Sequence, residues 1–337
     1  MLLQLPPEIV VRILCFLDLA ELASIIQADS TLHAYFKAFP ILQYRFATQA
    51  AQVEDNPRST HGSVVTERLA LLNSREQGWA RLNFDFQRTI PVRHHPTGIY
   101  DLVGGVYLLG DDGRRRLHYC KLPSTPADPT GWSHIDVDCT FVDVGLNIYE
   151  HDLIAVVTTK PHPTERRCHI LQFSTGKPHP LARSPVLFVS KSRWPRPSIG
   201  IEIVGVHLAL VITHFLNPLQ PCDQFYVFEW QTGTLKMKVH APNHTYASVV
   251  FLSPTLLLLP NTRTAALDVW AIPAADTDAP THALVTLALP QLAPGYVLVR
   301  LASRGEPNPT THPAPAPAPA SAPAFATARD EALRTRR

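Results

Sequence analysis

Charge is the first thing this chain is short of. Charged residues fill 17% of its 337 positions, the formal net charge is +2, and no concentrated basic block stands in the part that looks folded. General nucleic-acid binding needs a clustered positive footprint, so that class is set aside. Cysteine is sparse too: Cys15, Cys120, Cys139, Cys168 and Cys222 are an odd number at wide spacing, and no pair has the C-x-x-C pattern of a zinc or redox site. They are expected to be reduced, mostly buried small hydrophobes of a cytoplasmic or nuclear protein. Long apolar runs are missing. SVVFLSPTLLLLP (248–260) is too short for a bilayer and contains Pro254. No basic n-region precedes the apolar start, which Glu8 and Arg12 interrupt. The expectation is a soluble intracellular protein with no membrane partner.

The motifs of common chemistries are absent as well. The sequence has no G-x-x-x-x-G-K-[ST] phosphate loop, no G-x-G-x-x-G, no H-E-x-x-H and no G-x-S-x-G elbow. Gly110-Asp111-Asp112-Gly113 lacks the alternating ligands of a calcium loop and reads as a hairpin turn. Two imidazoles from His94-His95, or from His162 and His169, fall short of the four ligands, or three plus water, that zinc needs. Lying among prolines, they read as exposed loop. Glu202, Asp223 and Glu229 are candidates to meet as acid and base at the centre of a β domain, but little converges with them. No catalytic residue, cofactor or metal is expected.

What is present divides by composition. Residues 1–89 read as five short helices. Pro6 and Pro7 suit a first turn, and Asp18 with Glu21 has the spacing of a capping box that starts a second helix. Ser30 is placed to cap a third, which Pro40 stops. A fourth covers ILQYRFATQAAQV, and a fifth runs from about Val64 to Leu82. Beyond Asn83, prolines and glycines punctuate runs of β-branched and aromatic residues, the chemistry of strands.

Four stretches open alike, VYLLGDD from Val106, LIAVVTT from Leu153, LALVITH from Leu208 and LLLLPNT from Leu256. Each precedes a second strand: RLHYCKLP, CHILQFSTG, FYVFEWQTG and ALDVWAIP. Two of these end in a Thr-Gly turn, Thr175-Gly176 and Thr232-Gly233. A multi-strand unit recurring every 40–50 residues or so predicts β-propeller blades; an irregular β-sandwich is the alternative. Propellers carry about four to eight blades, so four repeats leave open whether the ring is complete or incomplete. Trp194, Tyr226, Trp230 and Trp270 are candidate anchors for a partner, although strand aromatics are more often core. Trp194 is the one expected at the surface. From Gly305 the Pro/Ala-rich sequence cannot build a core and is expected to be disordered.

The stretch LPPEIVVRILCFLDLAEL, Leu5 to Leu22, has only Glu8, Arg12, Asp18 and Glu21 as charges. A surface helix usually has one apolar stripe. Here Ile9, Ile13, Leu14 and Leu17 make one, while Val10, Val11 and Cys15 start another. A helical unit of about forty residues is too small to bury both, so the helix is either a bundle's central element or a docking element. Leu5, Pro6, Glu8, Ile9, Ile13, Leu14, Leu17, Asp18, Glu21 and Leu22 resemble the F-box pattern in order and without a gap. The likeness covers about forty residues and thins after Leu22, where Ile26 to His33 lack the family's usual basic residue and tryptophan. LQYRFATQ and ERLALLNSREQGWARL also resemble F-box proteins of mushroom-forming fungi, in which a helical linker and a β-rich, propeller-like region follow.

The resemblance implies a multidomain α+β chain. F-box helices would occupy 1–55, a helical linker 56–89, an all-β propeller-like substrate-binding region 90–304 and a disordered tail 305–337. It implies a non-enzymatic substrate receptor of a cullin–RING (SCF-type) ubiquitin ligase. Leu5, Pro6, Ile9, Ile13, Leu14, Leu17 and Leu22 would dock a Skp-type adaptor and, through it, a cullin, while the β region holds an unknown protein substrate. The competing readings are an F-box scaffold outside ubiquitination and a propeller-fold enzyme.

Overall fold

The computed structural model describes residues 2–55, 64–161, 164–192, 197–214, 222–274, 282–305 and 333–335. Two compact units divide between Thr89 and Ile90, with Ser124–Pro126 and the C-terminal strand grouped with the first.

The first unit is helical: α1 (Pro7–Leu14), α2 (Leu19–Ala28), α3 (Ser30–Ala38), α4 (Pro40–Ala50) and α5 (Val65–Arg81). The expected capping box closes at the start of α2: the Glu21 N–H donates to the Asp18 side chain at 2.8 Å, and the Asp18 N–H to Glu21 at 3.0 Å. The cap of α3 is Asp29 rather than Ser30, its Oδ1 accepting from the N–H groups of Thr31 and Leu32. Asp29 has the extended backbone of a cap, which already places Ser30 in the helix. Pro40 both ends α3 and opens α4, where its missing N–H costs nothing. Val10, Val11, Leu14, Leu22, Leu32 and Leu42 form the core, with Phe36, Phe39 and Phe46 packed against it. Tyr44, Val53 and Leu72 form a second cluster that holds α4 on α5.

Strand β1 (Val53–Asp55) pairs antiparallel with Leu333–Thr335, near the C-terminus. This corrects the expectation for that part of the tail, because an unpaired strand edge offers its backbone groups a ladder whatever the composition. The rest of the tail from residue 306 lies outside the described residues.

The second unit contains four sheets of four antiparallel strands, each in sequence order. Blade 1 is β2 (Pro96–Val103), β3 (Val106–Asp111), β4 (Arg116–Lys121) and β5 (Trp132–Asp136). Blade 2 is β6 (Phe141–Asn147), β7 (Leu153–Pro161), β8 (Thr164–Gln172) and β9 (Val186–Lys191), with a short α6 (Ile148–His151) between its first two strands. Blade 3 is β10 (Ser198–Val204), β11 (His207–Thr213), β12 (Asp223–Glu229) and β13 (Thr234–Ala241). Blade 4 is β14 (Val250–Ser253), β15 (Leu256–Asn261), β16 (Ala266–Ala271) and β17 (Val285–Ala288). The first strands pack in sequence, β2 on β6, β6 on β10 and β10 on β14, so each is the innermost of its blade. This is a β-propeller-like region.

Strand alternation explains the apolar runs. On β7, Ile154 and Val156 point into the core shared with blade 1, while Leu153, Ala155 and Val157 point into the core shared with blade 3. On β11, Leu208, Leu210 and Ile212 face blade 2, and Ala209 and Val211 face blade 4. A strand buried on both faces needs no polar residue at alternate positions. Near the axis, packing is tight enough to require glycine. A Cβ on Gly145 of β6 would lie 2.5 Å from Ile201 Cγ2 of β10.

Candidate docking face and the blade carboxylates

Helix α1 has two turns and two apolar stripes, and the structure treats them differently. Val10 and Leu14, one turn apart, are wholly buried, and Val11 is nearly so. Ile9 and Ile13, also one turn apart, are 45% and 39% exposed. Leu5 at 40% and Phe16 at 80% extend that bare stripe at either end. Because residues four apart lie over one another on a helix, Ile9 and Ile13 form one row on α1, and Leu5 and Phe16 are exposed in the segments that flank it. Pro6 is exposed beside it. The only charges within the helix, Glu8 and Arg12, are exposed alongside.

Four of the seven residues expected to meet a partner, Leu5, Pro6, Ile9 and Ile13, therefore stand at the surface. Leu14 and Leu22 do not: both are wholly buried in the helical core, and Leu17 is half-buried against it. A unit this small spends its best-centred leucines on its own packing. Phe16 escaped the sequence reading because it lies past the helical period, where Leu14 has ended α1 and Cys15 caps it. Burial raises the Cys15 thiol pKa, and Arg45 partly offsets the shift, so this half-buried cysteine is not primed as a nucleophile.

The β unit does not bring the three candidate carboxylates to one point. Glu202 lies on the innermost strand of blade 3, whereas Asp223 and Glu229 begin and end its third strand. Asp223 is buried, its Oδ2 accepting the N–H groups of Thr245 and Tyr246 at 2.8 and 3.1 Å. It ties blade 3 to the segment that leads into blade 4. The carboxylates that do interact are a different pair, Asp101 of β2 and Asp143 of β6. Burial, together with the charge of Asp101, pushes the Asp143 carboxyl up to about 7, against the pull of the Val144 N–H and Arg114. Sequence reading missed both, since their significance comes from the packing of β2 on β6.

The histidine candidates also move. His94 stacks on His118 with ring centroids 3.7 Å apart, and His134 lies 6.0 Å from His118. His169 is not in a loop but on β8, where Thr158 Oγ1 lies 3.0 Å from its Nε2 and burial lowers its pKa. His162 lies outside the described residues. Among the described residues no group of three or more His, Cys, Asp or Glu is arranged to hold a metal. Of the aromatic candidates, Tyr226, Trp230 and Trp270 are core, and Trp194 lies outside the described residues. No described helix is long and apolar enough to cross a membrane.

No family model and no curated protein matches the chain. Solved structures do. Hsv2 of Kluyveromyces lactis is 14% identical, with 53% of this chain covering 57% of that one at a TM-score of 0.38. The Dos1 propeller is 8% identical over 55% of this chain and 46% of that one, at 0.36. The C-terminal WD40 domain of Sif2 is 10% identical over 52% and 44%, at 0.34. The chain spans about half the length of each structure.

Proposed function

We propose that this chain is a non-catalytic receptor, in which the N-terminal helices dock a Skp-type adaptor of a cullin–RING ubiquitin ligase and the propeller-like region holds a protein substrate. The observation that carries the reading is that Ile9 and Ile13 of α1, with Leu5 and Phe16 flanking the helix, are bare while the other stripe of α1 is fully used in packing. Covering a half-exposed isoleucine or leucine recovers part of the ~1.5–3 kcal/mol of its full burial. Four such side chains together are worth several kcal/mol, enough to hold a partner. The F-box resemblance of Leu5 to Leu22 names the kind of partner. The role assigned to the β region is proximity: a bound substrate is kept at high effective concentration beside the ligase.

The test is co-purification of the full chain with a Skp-type adaptor, beside Ile9→Asp/Ile13→Asp. Both sites are exposed, so the variant should keep its circular dichroism and lose the complex. A wild-type chain that is monodisperse and ignores the adaptor would overturn the reading. A complex that forms but never recruits a cullin would leave docking standing and refute the ligase role.

A further inference from the structure

Apolar cores seal the seams between blades 1 and 2, 2 and 3, and 3 and 4. Among the described residues no such core joins blade 4 to blade 1. On β2, Ile99 faces blade 2, so alternation turns Tyr100 and Leu102 to the opposite face, where they are 65% and 46% exposed. On β14, Phe251 faces blade 3, and Leu252, 47% exposed, turns the other way. A ring assembled from these four sheets alone has two bare lips.

The chain comes back to this seam after its last blade. The Leu301 N–H donates to Thr262 Oγ1 at 3.0 Å and the Ser303 N–H to Ser248 Oγ at 2.8 Å, which fixes the segment to blade 4. A Cβ on Gly305 would lie 2.7 Å from Val250 Cγ1, so the backbone there runs hard against β14. Between these anchors Arg304 reaches blade 1: its Nη2 donates to Asp101 Oδ1 at 2.6 Å and lies 3.4 Å from the Leu102 carbonyl oxygen. Asp101 is mostly enclosed, whereas the Arg304 side chain is 57% exposed.

We infer that Leu301–Gly305 is a strap that closes the blade ring, and that the Arg304–Asp101 ion pair is its latch. The other three seams depend on apolar packing and open only with the fold. Among the described residues this one is held by a partly solvated ion pair and hydrogen bonds, so it opens locally while the blades stay intact.

Hydrogen–deuterium exchange on the full chain tests this. Arg304→Gln should speed amide exchange about fivefold in β2, β14 and 301–305, as loss of a partly exposed ion pair does, and leave β7 and β11 at wild-type rates. Arg304→Glu, which sets two negative charges together, should act in the same places and more strongly. The swap Asp101→Arg with Arg304→Glu should bring the rates back toward wild type. Unchanged exchange in β2 and β14 for Arg304→Gln would overturn the latch. So would acceleration spread equally over β7 and β11, or a local acceleration that the swap fails to reverse.

Discussion

Asp143 offers the sharpest test of how the inner strands are packed. Its carboxyl is half-buried on β6, with the Val144 N–H donating to Oδ1 at 2.9 Å, Arg114 nearby and the like charge of Asp101 facing it. These surroundings hold it protonated to about 7, against an ordinary 3.8. An unfolded chain releases that proton near 4. Between about pH 4 and 7 the folded state therefore binds more protons than the unfolded one. Stability must fall as pH rises through this window and level off above it. At 1.36 kcal/mol per tenfold change in proton affinity, the ceiling is about 4 kcal/mol, reduced by whatever water reaches the carboxyl.

An asparagine in place of Asp143 would have the same shape, keep an acceptor for the Val144 N–H and never ionise. Asp143→Asn should match wild type near pH 4 and exceed it by about 2–4 kcal/mol at pH 8. Urea unfolding of both proteins between pH 5 and 8, followed by tryptophan fluorescence, measures the difference. Burial lowers the pKa of His169 and His207, so these groups oppose the trend, adding stability as pH rises toward 6.5. The comparison is therefore made between variant and wild type at each pH, where the histidine contributions cancel. Parallel stability–pH curves for the two proteins would refute the packing described for Asp101 and Asp143.

Other perturbations separate packing from contact. Leu14→Ala should cost about 2–5 kcal/mol in denaturant unfolding of the helical unit, because the side chain is wholly buried. Phe16→Ala should change stability by less than about 0.5 kcal/mol, yet weaken the proposed adaptor complex severalfold in a calorimetric titration. Gly145→Ala should destabilise the β unit by about 1–3 kcal/mol, since its methyl would overlap Ile201. Asp18→Ala should cost the helical unit about 1 kcal/mol through loss of the capping box.

The sequence made the middle of each blade legible and hid its edges, for a physical reason. Strands β7 and β11 lie between two cores, so LIAVV and LALVI are apolar at every position and stand out. Their partners β8 and β12 follow in phase, after two residues in the first case and nine in the second. The innermost strands do not stand out. PTGIYDLV, FVDVGLN and SIGIEIV carry Gly98, Gly145 and Gly200 and the acids Asp101, Asp143 and Glu202. Gly145 leaves no room for a side chain against Ile201 of the next blade, and glycines and acids among the apolar residues erase the usual strand signature. The outermost strands gave a weak signal too, since β17 is exposed along its whole length. Ring closure was out of reach: Arg304 and Asp101 are some two hundred residues apart in the chain, and nothing local pairs them.

On α1 the sequence announced two apolar stripes without saying which one the fold keeps. Either choice satisfies the helical period, and the decision lies in where α2, α3 and α4 return. They return onto Val10, Val11 and Leu14. Once those are packed, the helical unit has no use of its own for apolar side chains at 5, 9, 13 and 16. Lysine, glutamate or glutamine would serve as well there, with equal or better helix propensity than isoleucine within α1 and no apolar surface left in water. The four large apolar residues left bare beside that core, Leu5, Ile9, Ile13 and Phe16, are the surface that the proposed adaptor would cover. That asymmetry, more than the number of apolar residues, is why the adaptor reading rests on Ile9 and Ile13 rather than on Leu14 and Leu22.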